Sequence, residues 1–156
     1  MNIVYSVIDI LKEKNLKIST AESCTGGMIA SSIVDVPGVS AFFDEGYITY
    51  SNESKHKNLY VEDEILQQYG AVSEKCAFAM ASGLHKKTKA DVCICSTGIA
   101  GPDGGTPEKP VGLVYLGCYF NGNTYVKECR FLGNRTEVRK QATEKAFEFI
   151  LECMKR

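Results

Sequence analysis

Stretches of helical and of extended hydrophobic period alternate along this sequence, and that alternation constrains the fold more than any other feature. Ile3, Val4, Val7, Ile8 and Leu11 recur on one face at helical spacing, and Lys12, Lys14 and Asn15 close the run. Residues 16–21 read as a short strand that breaks into Glu22-Ser23-Cys24-Thr25-Gly26-Gly27, and a helix follows from Met28 to about Val34. Pro37 and Gly38 mark a turn. A second strand over 46–50 leads into a polar helix start at 51–55, and further helices are expected over 62–69 and 73–87. Ser73 is placed to cap the latter, with Ala77, Met80, Ala81 and Leu84 on its buried face.

Residues 91–96 form a compact apolar strand, followed by a glycine- and proline-rich loop over 97–110. Two strands, 111–120 and 124–132, flank Asn121-Gly122-Asn123, and an Asn-Gly pair between apolar runs signals a hairpin. The last helix starts near Asn134, with Glu137 three residues on as in a capping box, and its core stripe includes Val138, Ala142, Ala146, Phe149, Ile150 and Cys153. The resulting order is α-β-α-β-α-α-β-β-β-α. It predicts an α/β fold, a three-layer α/β/α sandwich around a mixed β-sheet. No repeat or break in composition divides the chain, so residues 1–156 are expected to form one domain.

Composition removes several classes of function. A chain of this length buries about 70% of its unfolded surface, enough to fold without staples. The 18 basic and 19 acidic residues leave a net charge of −1, which makes nucleic acid an unpromising partner. The seven cysteines form no C-x-x-C pair, and His56 and His85 match no zinc spacing, so no metal and no cofactor are expected. Both histidines are expected at the surface. Several cysteines sit in apolar runs, as small hydrophobes in a reducing compartment do. The first residues carry neither the basic start nor the long apolar run of a signal peptide, and no stretch reaches about 20 apolar residues, so a cytoplasmic protein without a membrane partner is expected.

Two loops carry residue types poorly suited to mere connection. In 21–27 a strand end meets a helix start, where free backbone N–H groups attract anions and glycines permit close approach. The bland alternative is that Ser23 or Thr25 caps the helix while Cys24 packs inward. In 96–107, Gly98, Gly101, Gly104 and Gly105 can turn several N–H groups toward one point at the carboxyl end of a strand. That loop fits neither the Walker pattern nor G-x-G-x-x-G. A long turn needing positive φ remains the alternative. A third segment holds Tyr50 and Lys55 at a strand-to-helix junction. Taken alone, Lys55 is a solvated lysine; beside Ser23 in a cleft, its neutral amine becomes a base.

These segments resemble the CinA carboxyl-terminal domain family. The resemblance rests on 20–27 (TAESCTGG), 50–55 (YSNESK), 70–73 (GAVS) and 98–105 (GIAGPDGG), extended by 109–112 (KPVG) and 133–139 (GNRTEVR). It covers nearly the whole chain, in the family's order. Stand-alone members are nicotinamide-nucleotide amidases, which convert nicotinamide mononucleotide to nicotinate mononucleotide and ammonia. Other members carry a fused molybdopterin-binding-like domain, for which this length leaves no room, so the stand-alone activity in pyridine nucleotide recycling is expected. The resemblance implies Ser23 as nucleophile, assisted by Lys55 and Tyr50, and often a homodimer. Asn134 stands where other members have aspartate, so any role of that carboxylate does not carry over.

For the substrate, Thr25, Gly26 and Gly27 of the first loop and Gly98, Gly101, Gly104 and Gly105 of the second are candidate binding groups. Asp103 and Thr106 either shape the loop or touch the ribose, and Arg135 and Arg139, one turn apart, either bind phosphate or are ordinary surface arginines. Cys24 is the rival nucleophile; adjacent side chains diverge, and Glu22 would raise its pKa, so Ser23 is preferred. The competing function is a non-catalytic nucleotide-binding or regulatory module of the same fold.

Overall fold

A computed structural model describes residues 2–156. Its elements run α1 (Ile3–Lys14), β1 (Ile18–Glu22), α2 (Met28–Val34), β2 (Phe43–Ile48), α3 (Asn52–Leu59), α4 (Asp63–Tyr69), α5 (Glu74–Thr88), β3 (Val92–Gly98), β4 (Leu113–Phe120), β5 (Asn123–Arg130) and α6 (Arg135–Met154). The order is the one the sequence predicts, with one added turn of 3-10 helix at Val39–Ala41. Helix ends follow their side chains. Asn2 Oδ1 accepts from Val4 N at 2.9 Å, and Ser73 Oγ accepts from Cys76 N at 3.1 Å. Asn134 and Glu137 form the reciprocal capping box.

The sheet has five strands in the order β2-β1-β3-β4-β5. β1 pairs in parallel with β2 and β3, whereas β4 pairs antiparallel with both β3 and β5. Period two explains how β3 stays buried throughout. Val92 and Ile94 join the core under α1, α2 and α6, while Cys93 and Cys95 join the core under α4 and α5. The result is a three-layer α/β/α sandwich with a mixed sheet.

Boundaries moved where tertiary pairing overrides local pattern. β2 lies earlier than the expected 46–50, because its register with β1 runs from Ile18↔Phe43 to Glu22↔Ile48. Beyond it, the Thr49 and Tyr50 carbonyls turn to a side chain instead of a strand. β4 starts at Leu113 instead of 111: Gly112 adopts φ 95°, and a Cβ there would meet the Phe131 carbonyl oxygen at 2.0 Å. His85 also departs from its expected surface position. It is half-buried, with its ring stacked on Tyr119 at 3.8 Å and Nδ1 2.8 Å from the Ala90 carbonyl, which ties the end of α5 to β4. His56 is exposed as expected.

All seven cysteines are buried and free. Among the described residues no helix is long and apolar enough to cross a membrane, and no group of three His, Cys, Asp or Glu residues could hold a metal. Three parallel strands end side by side, at Glu22, Ile48 and Gly98, and the candidate functional residues gather along that carboxyl edge.

Candidate active site

Ser23 is the first residue beyond β1. Its N–H donates to the Ser96 carbonyl at 3.0 Å, which continues the β1–β3 ladder by one bond and holds the serine at the sheet edge. Lys55 lies in α3, a helix capped by Ser51 Oγ, and is only 1% exposed. Its Nζ is 3.2 Å from Ser23 Oγ, 2.9 Å from the Thr49 carbonyl and 3.1 Å from the Tyr50 carbonyl. No carboxylate forms an ion pair with this amine among the described residues. Burial therefore dominates and lowers its pKa from 10.5, toward the neutral form. A neutral amine has two N–H groups and one lone pair. Two carbonyls take the N–H groups, so the lone pair is left for the Ser23 hydroxyl proton.

The turn after Ser23 is braced from within. Gly26 N–H closes it on the Ser23 carbonyl at 3.1 Å, and Gly26 and Gly27 take φ of 57° and 103°. The expectation of an open anion site at the start of α2 is corrected here. The carboxylate of Glu22, 1% exposed, already occupies it, accepting from Ile29 N at 2.8 Å and Ala30 N at 3.0 Å. A single charged residue on the preceding strand thus supplies the anion that the helix end attracts. Thr25 is likewise committed: its hydroxyl donates to Glu22 Oε1 at 2.6 Å and lies 2.7 Å from Ser96 Oγ, so the side chain braces the turn.

Cys24 points into the core, and burial, with Glu22 adding to it, pushes its thiol up to about 11. A thiol in that state is a poor nucleophile at neutral pH.

Tyr50 and the two arginines are also brought to this edge, in unexpected ways. It is the Tyr50 carbonyl that holds the Lys55 amine; its phenol instead accepts from Arg135 Nη2 at 3.3 Å, and its side chain is largely exposed. Arg135 Nη1 also donates to the Gly101 carbonyl at 2.8 Å, clasping the glycine loop to Tyr50. Arg139, a candidate for either phosphate binding or a plain surface position, donates from Nε to the Cys24 carbonyl at 2.9 Å and from Nη2 to the Thr25 carbonyl at 3.1 Å. Its fork is largely consumed by the chain itself.

In the glycine loop, Gly98 packs directly on Val114, and Gly101 is buried with φ 85°. Asp103, Gly104, Gly105 and Thr106 lie on an exposed stretch and make no hydrogen bond to Ser23, Lys55 or Tyr50. Thr106 is spent on the loop itself, its Oγ1 accepting from Lys109 N at 3.0 Å. Glu22, Thr49 and Ser96 also contact the candidate site, and the sequence does not single them out for it. Only strand pairing reveals them, since Ser96 stands opposite Glu22 by register and Thr49 N–H extends the β2 ladder to the Glu22 carbonyl.

Fold and site together define a class: an α/β/α protein with a buried serine–lysine pair where the parallel strands of a mixed sheet end. The sequence profile of the CinA C-terminal domain matches residues 2–154, and the chain belongs to that family. It is 56% identical over 143 residues to a putative competence-damage inducible protein of Clostridium beijerinckii, covering 92% of this chain and 35% of the relative. A CinA-like protein of Kosmotoga olearia is 55% identical over 148 residues, covering 95% of this chain and 36% of that protein. The chain thus spans about a third of the length of these curated relatives. Among solved structures, the competence/damage inducible protein CihA from Agrobacterium tumefaciens superposes with a TM-score of 0.93 at 41% identity, covering 96% of this chain and 92% of that one. The competence damage-inducible protein A from Klebsiella pneumoniae gives 0.95 at 34% identity, covering 99% and 96%.

Proposed function

We propose that the protein is a serine amidase that hydrolyses the carboxamide of nicotinamide mononucleotide to nicotinate mononucleotide and ammonia. The observation that carries this reading is the 3.2 Å contact between Lys55 Nζ and Ser23 Oγ, made by an amine whose other two contacts are backbone carbonyls. That is an arrangement for taking a proton from a hydroxyl, as in Ser–Lys hydrolases.

Ser23 Oγ attacks the carboxamide carbon as its proton passes to neutral Lys55. The tetrahedral intermediate collapses with cleavage of the C–N bond, and the Lys55 ammonium returns the proton to the departing nitrogen, which leaves as ammonia. Water then attacks the acyl-enzyme, giving a proton to Lys55. The C–Oγ bond breaks, Ser23 recovers its proton from the Lys55 ammonium, and the product leaves as the carboxylic acid, which gives its remaining proton to solvent water to become the carboxylate. Tyr50 and Arg135 stand at the rim of this site, where the exposed face of Tyr50 and the remaining donors of Arg135 are available to the nucleotide. The structural use of Arg139 leaves Arg135 as the better phosphate ligand of the two.

Incubating the purified protein with nicotinamide mononucleotide and measuring ammonia tests the reading. Turnover by the unaltered chain, abolished in a folded Ser23→Ala variant, is the expected result. Tight binding of the nucleotide without any ammonia would replace the amidase with a binding module.

A further inference from the structure

We propose that Arg139 is a positioning residue that aims the Thr25 N–H at the oxyanion formed when Ser23 attacks; this rests on the amidase reading above. Arg139 reaches from the first turns of α6 to the two carbonyls that directly follow the nucleophile, those of Cys24 and Thr25. The fit is close: a Cβ on Gly26 would lie 3.1 Å from Arg139 Nη2.

A trans peptide is planar, with its N–H opposite its C=O. Fixing the Cys24 carbonyl on Arg139 therefore turns the Thr25 N–H away from the guanidinium. Fixing the Thr25 carbonyl does the same for the Gly26 N–H, which is seen donating back to the Ser23 carbonyl. The Thr25 N–H is left paired with no backbone carbonyl or side chain among the described residues. The Cys24 and Gly27 N–H groups of the same turn meet no backbone carbonyl either, but of the three only the Thr25 N–H belongs to a peptide whose carbonyl Arg139 fixes. It lies two residues past Ser23, the offset at which a serine oxygen and a backbone N–H come together in a turn. A negative oxygen bonded to the carbon that Ser23 attacks develops beside that position. The Thr25 hydroxyl, held by Glu22 and Ser96, fixes the same peptide from its other end.

Donors of this kind act on the transition state more than on bound substrate, which separates the proposal from a phosphate-binding role. In the Arg139→Ala variant kcat should fall about 10²-fold with KM nearly unchanged. Added guanidinium ion should restore part of kcat. Arg139→Lys, which offers a point charge and no fork, should stay impaired. Melting curves of the variants, with and without guanidinium, show whether rescue acts on the site or on folding. A rise in KM at unchanged kcat would overturn the proposal in favour of a substrate contact. Rescue that merely tracks recovered melting temperature would overturn it in favour of a structural role. Absence of turnover in the unaltered protein would remove the amidase reading and this inference with it.

Discussion

Lys55 Nζ donates to the Thr49 carbonyl at 2.9 Å, from the chain segment that has just left strand β2. The amine is therefore held from behind by backbone, while Ser23 stands in front of it. A buried lysine with such neighbours differs from one in an ion pair: nothing nearby compensates its positive charge, so it is available as a base.

The pH dependence follows with a definite sign. Burial lowers the folded pKa of Lys55 from 10.5, so kcat/KM should rise with pH along a limb whose midpoint lies below 10.5. Between that folded value and 10.5 the unfolded chain binds more protons than the folded one, so the stability contributed by this group grows as pH rises through the window. Lys55→Met should lower turnover by about 10²–10⁴-fold and abolish the limb, readable from rate profiles and from denaturation at several pH values. A limb centred at or above the ordinary lysine value would contradict the assignment.

Replacement at the two adjacent nucleophile candidates should separate them. Cys24→Ala removes a buried thiol whose pKa is about 11 and should leave turnover within a few-fold of the original. Ser23→Ala should abolish it. Alkylation by iodoacetamide near pH 8 should label the folded protein at Cys24 only slowly, as peptide mass mapping would show.

Glu22 is expected to matter for stability through one helix end. Its carboxylate accepts from Thr25, Ile29 and Ala30, and Glu22→Leu would leave those donors unpaired in a buried setting. A loss of at least about 2 kcal/mol in urea unfolding is expected. Because the same bonds brace the turn after Ser23, ammonia release should fall as well, even below the unfolding transition.

Gly83 tests how α5 supports the site. A Cβ at that position would lie 1.7 Å from the Leu59 carbonyl oxygen, so α5 passes against the end of α3, the helix that carries Lys55. Gly83→Ala should cost about 1–3 kcal/mol of stability by overpacking and displace the amine, lowering kcat. Unchanged melting temperature and turnover would show that the helices part without consequence.

Much of this molecule could be read from residue patterns. The order of helices and strands, the Asn134–Glu137 capping box, the Ser73 cap and the α/β/α class follow from local chemistry and from period, both of which act over a few residues. Ser23, Tyr50 and Lys55 were singled out with the help of a family resemblance, and the structure brings them to one edge. Their detailed parts were not legible. The sequence offers Tyr50 as an assistant to Lys55 without saying which of its atoms meets the amine, and the carbonyl is what touches it; for Arg139 it leaves phosphate binding and a surface position both open, and the side chain holds the turn after Ser23.

The sequence by itself determined the alternation of elements, the near-neutral charge and the apolar faces, because each depends on side-chain type and spacing alone. Only the tertiary structure decided that Glu22 fills the end of α2, that Thr49 touches Lys55 and Ser96 touches Thr25, and that Lys55 is buried without a counter-charge. Those properties depend on which strands pair and in what register, since hydrogen bonds and desolvation are set by what lies across a gap in space, however far apart the partners stand along the chain.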